Sequence, residues 1–236
     1  MADAFKSHVL SHKLRFLVSL RDPLWRAVSG FGNFLWHQDA LHLNTAAHFE
    51  HAMTAMKDAG TSRDCHAPKV GLNGGCPDGL AVDKAFVACM DEQLGNHSFK
   101  HHLDPTNLLR GFYADQLRNF LCAGFHPSQF IILFTNELDN MPRVMSRIAF
   151  SLGKTLSSKE SDDIARVSSF QYNSKKMAAP EVNHLSEKFK SDMIEFYRPS
   201  VLDLRSLLDE HGFHYNHIAF EKEFAPYLQQ LSPTMD

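Results

Sequence analysis

The stretch Phe16–Phe34, FLVSLRDPLWRAVSGFGNF, decides the fold. With the two residues before it, its first part reads LRFLVSL (Leu14–Leu20), a short apolar run of the kind that forms a buried strand. The run stops at Arg21-Asp22-Pro23. Asp22 is a good helix N-cap and Pro23 suits the first helical position, so a helix is predicted from there to about His37. Strand, tight turn and helix form the repeating unit of a parallel α/β fold. A helix N-terminus offers unpaired N–H groups and a partial positive charge, which attract anions. Arg21 stands directly before it and Ser29 lies two turns in, so a guanidinium fork and a hydroxyl could clamp a phosphate monoester. Taken alone, an Arg-Asp-Pro turn is more often an ordinary structural cap.

Working outward, Thr45–Ala59 reads as a second helix. Residues 60–79 form a Gly/Pro/Cys-rich loop insertion, with Gly71, Gly74, Gly75 and Gly79 breaking any periodicity. Leu80–Leu94 reads as helix. Asp104-Pro105 is predicted to open a strong helix with apolar rows through Leu109, Tyr113, Leu117 and Leu121, ended by Gly124 and Pro127. A second buried strand is expected at Gln129–Thr135, QFIILFT, and a helix at Met141–Leu152. Residues 154–180 are polar and rich in Ser and Lys, and read as a surface loop. The last helix carries Val182, Leu185, Phe189, Met193 and Phe196, breaks at Arg198-Pro199, and resumes at Val201–Leu208.

At 236 residues, 44% hydrophobic and 22% charged, the chain can bury one large α/β domain. A net charge of -3 gives no global reason to expect nucleic acid as a partner. No stretch approaches the roughly 20 apolar residues of a membrane span, and Met1–Lys13 resembles neither a signal peptide nor an anchor, so no membrane contact is expected from this segment. Of the four cysteines (Cys65, Cys76, Cys89 and Cys122), pairs such as Cys65–Cys76 or Cys76–Cys89 would pin the loop in an oxidising compartment, and four reduced thiols remain the alternative. The 15 histidines cluster at His48/His51, His97/His101/His102 and His211/His214/His217, but no carboxylate pair completes a metal site, so no metal is expected.

The Phe16–Phe34 run resembles the 3′-phosphate motif of sulfotransferases: a strand, R-D-P, and a serine eight positions after the arginine. Three further segments resemble the same family in the same order. They are GFYADQLRNFLCAGFHPSQFIILFTNEL (Gly111–Leu138), MPRVMSRIAFSLG (Met141–Gly153) and FYRPSVLDLRSLL (Phe196–Leu208). The last looks like the ending of the carbohydrate branch. FVACMDEQL (Phe86–Leu94) is similar to the chondroitin- and dermatan-type enzymes. The order and spacing of the four segments, from Leu14 to about Leu208, carry the specificity.

The resemblance implies a partial P-loop-like parallel sheet flanked by helices, in a single partial sulfotransferase domain over residues 1–236. It implies transfer of a sulfuryl group from 3′-phosphoadenosine 5′-phosphosulfate (PAPS) to a hydroxyl of a glycosaminoglycan-like glycan, without a metal. Arg21 and Ser29 would bind the 3′-phosphate. Tyr113 would lie near the adenine, or else be a plain core tyrosine. Lys175 and Lys176, in NSKKMAAP (Asn173–Pro180), resemble the basic loop that closes over the nucleotide, or else are solvated lysines. By the same resemblance the expected location is the Golgi lumen.

The family's phosphosulfate loop, a Gly/Thr/Ser-rich turn with a lysine, precedes R-D-P, as does its catalytic base. Only 20 residues precede Arg21 here and none forms such a loop. Gly153-Lys154-Thr155 is no substitute, because a Walker motif would need glycine where Ile148 stands. Little activity is therefore expected from this polypeptide alone. A non-catalytic scaffold is the alternative, and a nucleoside-phosphate kinase fits less well, with neither a Walker motif nor an acidic metal site.

Overall fold

A computed structural model describes residues 14–37, 46–61, 110–168 and 185–229. The apolar run forms strand β1 (Phe16–Leu20), and Asp22-Pro23 opens helix α1 (Pro23–His37). Helix α2 (Ala46–Thr61) follows, then α3 (Tyr113–Cys122). Strand β2 (Phe130–Phe134) lies between two short 3-10 turns, and α4 (Met141–Ser151) comes next. The described chain continues with α5 (Ser158–Ser168), the long α6 (Glu187–Glu210), α7 (His217–Glu223) and α8 (Ala225–Leu228).

The two strands pair in parallel, with Phe16 opposite Phe130 and Leu20 opposite Phe134. The fold of the described residues is therefore mostly helical around a small two-stranded parallel sheet. Phe130, Ile132 and Phe134 point into the main core, while Ile131 and Leu133 meet Val144 and Ile148 of α4 in a second cluster. β2 is thus buried on both faces. β1 departs from the buried strand expected of it: Phe16, Val18 and Leu20 join the main core, but Leu17 is 57% exposed and Ser19 is also exposed. By register Leu17 shares the face of Ile131, and among the described residues α4 covers that face at β2 but not at β1.

α6 is the spine of the core. Ser186 caps it by accepting from the Phe189 N–H, and Phe189, Met193, Tyr197, Val201, Leu204 and Leu208 form its buried row. The break predicted at Arg198-Pro199 does not occur, and one helix runs through Pro199. A proline inside a helix costs about 3 kcal/mol. Burial of Tyr197 and Val201 on either side, at about 1.5–3 kcal/mol per large apolar side chain, outweighs that.

Two other expectations change. The predicted loop 154–180 contains α5, which starts with a reciprocal capping box: the Glu160 N–H donates to the Ser157 hydroxyl and the Ser157 N–H donates to the Glu160 carboxylate. The helix predicted from Asp104 is not continuous through Arg110–Phe112, since Gly111 makes a turn and α3 begins at Tyr113. Gly124, as predicted, and Gly153 stop their helices, at φ of 89° and 72°, each followed by an N–H returning to the carbonyl five residues back. Cys122 at the end of α3 is disulfide-bonded. The loop pairs Cys65–Cys76 and Cys76–Cys89, and the helix expected at Leu80–Leu94, lie outside the described residues. Among the described residues no helix is long and apolar enough to cross a membrane.

Candidate functional site

The chemistry suggested by the sequence concentrates where β1 ends and α1 begins. Asp22 caps α1 by accepting the Trp25 N–H at 3.0 Å. The Tyr227 hydroxyl donates to the same carboxylate oxygen at 3.0 Å and accepts the Leu24 N–H at 3.4 Å. Pro23 has no N–H, and the Arg26 N–H returns to the Asp22 carbonyl at 2.9 Å. The unpaired donors expected at this helix start are therefore occupied by protein groups. Attraction of an anion falls instead to side chains.

Arg21 and Ser29 are the two side chains that the sequence singled out for it. The Arg21 guanidinium lies 5.9 Å from the centre of the Trp25 ring, a cation–π contact. Trp25 is one turn beyond Arg21, and Ser29 is one turn beyond Trp25, exposed on the helix surface. The guanidinium thus lies over an indole that is 42% exposed, one helical turn before Ser29. Among the described residues Arg21 makes no ion pair. Trp25 was not among the residues singled out from the sequence, although its place midway between Arg21 and Ser29 was legible there.

The backbone beneath is fixed with care. The Tyr113 hydroxyl donates to the Arg21 carbonyl at 2.8 Å, and the Asp22 N–H donates to Glu223 at 2.9 Å. Glu223 also accepts the Thr135 hydroxyl at 2.7 Å and the Asn136 N–H at 3.0 Å, so one carboxylate ties together the ends of both strands. The Tyr113 ring is buried against Phe224, beneath the turn. Burial pushes the Tyr113 hydroxyl up to about 12, so it stays protonated and able to donate. Burial raises the Tyr227 hydroxyl still further, and raises the Asp22 carboxyl above its ordinary 3.8 despite its hydrogen bonds from Trp25 and Tyr227. Lys175 and Lys176 lie outside the described residues.

A cleft of about 920 Å³ runs between α4 and the Phe213–Ile218 segment. It is lined by Arg143, Arg147, His214, Asn216, His217 and Lys222 among others, and by none of Arg21, Trp25 or Ser29. Glu137 at its floor accepts two bonds from Arg147, at 2.7 and 3.2 Å, and one from the Asn216 amide at 3.1 Å. His214 and His217 thus line a cleft. Among the described residues no three metal-ligating side chains converge.

A family model described as "Sulfotransferase domain" matches residues 1–206. The chain belongs to the sulfotransferase family. A comparison with curated proteins gives no match. The match takes in β1, the R-D-P turn, Trp25 and Ser29 of this sulfotransferase, together with Tyr113 and β2. It ends inside α6, so Glu223 and Tyr227, which hold the turn from below, come from chain beyond it. Sequence reasoning passed over both because neither has a local signal. They are 201 and 205 residues from Asp22.

Proposed function

We propose that the Arg21–Trp25–Ser29 face of α1 binds the 3′-phosphate of PAPS, and that this sulfotransferase serves transfer of the sulfuryl group to a glycan hydroxyl. One observation carries the reading: the Arg21 guanidinium lies over Trp25, one turn before an exposed Ser29, with no ion-pair partner among the described residues. A phosphate monoester placed between them would take charge-assisted bonds from the guanidinium and one from the hydroxyl. The donor set fits such an anion. The bound nucleotide would supply the sulfuryl group, and this chain's residues would hold its far phosphate so that the reacting end is oriented.

The finer parts of the reading rest on the resemblance. They are the carbohydrate branch, a glycosaminoglycan-like acceptor, a Golgi setting and a larger parallel sheet of P-loop type to which β1 and β2 belong. Lys175 and Lys176 are proposed to close over the nucleotide.

The test is calorimetric binding of 3′-phosphoadenosine 5′-phosphate to wild type and to Arg21→Ala. Losing one charge-assisted hydrogen bond costs about 1.5–3 kcal/mol, so the variant should bind at least about tenfold more weakly. Equal affinity in the two proteins refutes the site. A second reading, the same fold as a non-catalytic scaffold, is favoured by one observation. The N–H groups that open α1 are already used by Asp22 and Tyr227. A folded wild type with no measurable binding would select it.

A further inference from the structure

The two hydrogen bonds on either side of Arg21 fall on one peptide group. Tyr113 donates to the Arg21 carbonyl, and the N–H of the same amide, that of Asp22, donates to Glu223. With both ends held, at 2.8 and 2.9 Å, the plane joining Arg21 to Asp22 is restrained against reorientation. That plane sets the direction in which the Arg21 side chain leaves the backbone. Tyr227 fixes the next group along, the Asp22 carboxylate, and the Leu24 N–H. Glu223 then links this turn to Thr135 and Asn136 at the end of β2.

We infer that Glu223 and Tyr227 are positioning residues of the anion site: Glu223, with Tyr113, holds the Arg21–Asp22 peptide, and Tyr227 holds the Asp22 carboxylate and the Leu24 N–H beside it, so that the guanidinium is presented over Trp25. The inference rests on the 3′-phosphate reading given above. It assigns a role in ligand recognition to α7 and α8, which lie beyond the span matched by the sulfotransferase family. These helices do not touch the phosphate themselves. They remove the freedom that Arg21 would otherwise lose on binding, a preorganisation that favours affinity.

Two ligands separate positioning from plain structural support. 3′-Phosphoadenosine 5′-phosphate carries the phosphate that Arg21 would hold, and adenosine 5′-monophosphate lacks it. Loss of general stability weakens both, whereas misdirection of Arg21 weakens only the first. Calorimetry on the full chain should give a wild-type preference for the 3′-phosphorylated nucleotide of about tenfold or more, collapsed by Arg21→Ala. Tyr227→Phe, which removes one oxygen, and Glu223→Gln, which keeps one acceptor, should each cut the preference about threefold or more. Tyr215→Phe is the control. Its hydroxyl donates to Asp209 at 2.6 Å, away from the turn, and its removal should leave the preference within about twofold.

Cooperative unfolding is checked for each variant, and if Glu223→Gln does not fold, Tyr227→Phe decides alone. Wild-type preference in a folded Tyr227→Phe overturns the positioning role while Arg21→Ala still supports the site. Absence of any preference in the wild type, or its survival in Arg21→Ala, overturns both.

Discussion

Gly111 stands where three parts of the site's scaffold meet, and replacing it with alanine is the sharpest test of the packing. An added Cβ would fall 2.6 Å from Cε1 of Tyr197 and 3.1 Å from Cβ of Pro23, the first residue of α1. Carbon atoms pack at about 3.5–4.0 Å, so the Tyr197 ring must retreat by about 1 Å. It has nowhere to go. Tyr197 is fully buried, with Phe112 at 5.6 Å and Phe196 at 5.0 Å between ring centres. Overpacking of this kind costs about 1–3 kcal/mol. For a chain of this size that corresponds to a fall in Tm of roughly 2–12 °C.

Urea and thermal unfolding of Gly111→Ala would measure the cost. A Tyr197→Leu background identifies its source, because removing the ring opens the space that the new methyl needs. In that background Gly111→Ala should cost at least about 1 kcal/mol less than in the wild type. A Gly111→Ala protein within about 0.5 kcal/mol of wild type refutes the reasoning. An equal penalty in both backgrounds shows that the close approach to Tyr197 is not its cause.

Other predictions concern the charged groups. A raised folded-state pKa means that the folded chain holds the Asp22 proton more tightly than the unfolded chain does. Stability from this group is therefore greatest below the ordinary carboxyl range and declines as pH rises through the folded value. Asp22→Asn keeps acceptors for Trp25 and Tyr227, so its stability relative to wild type should improve between about pH 3.5 and about pH 7 in urea titrations. A relative loss over that range would count against the burial argument. Asp22→Ala, which removes the cap, should cost about 0.5–2 kcal/mol at neutral pH. Glu137→Ala strands Arg147, the Phe134 N–H and the Asn216 amide. Because Arg147 keeps 30% exposure, the expected cost is about 2–3 kcal/mol, below the range for a fully buried pair. A chemical denaturation midpoint unchanged from wild type would show that water replaces the carboxylate there.

The local units were legible from adjacent residues. Apolar runs bounded by Asp-Pro and by Gly set β1, β2 and the stops of α3 and α4, because strand, cap and left-handed turn depend on a few adjacent residues. The S-x-x-E box opening α5 was equally legible at Ser157 and Glu160, but the polar composition around it obscured the signal. The position of Arg21 at a strand end, with Ser29 two turns into the helix, was legible for the same local reason. Tertiary structure alone decided the rest. Pro199 stays helical because the buried row of α6 outweighs its local cost. Leu17 stays exposed because helix α4 reaches only one of the two strands. The Leu24 N–H at the start of α1 is satisfied by Tyr227, and the Arg21–Asp22 peptide is held by Tyr113 and Glu223. Those bonds span 92 to 205 residues, and no local propensity encodes a hydrogen bond that exists only once the core has closed.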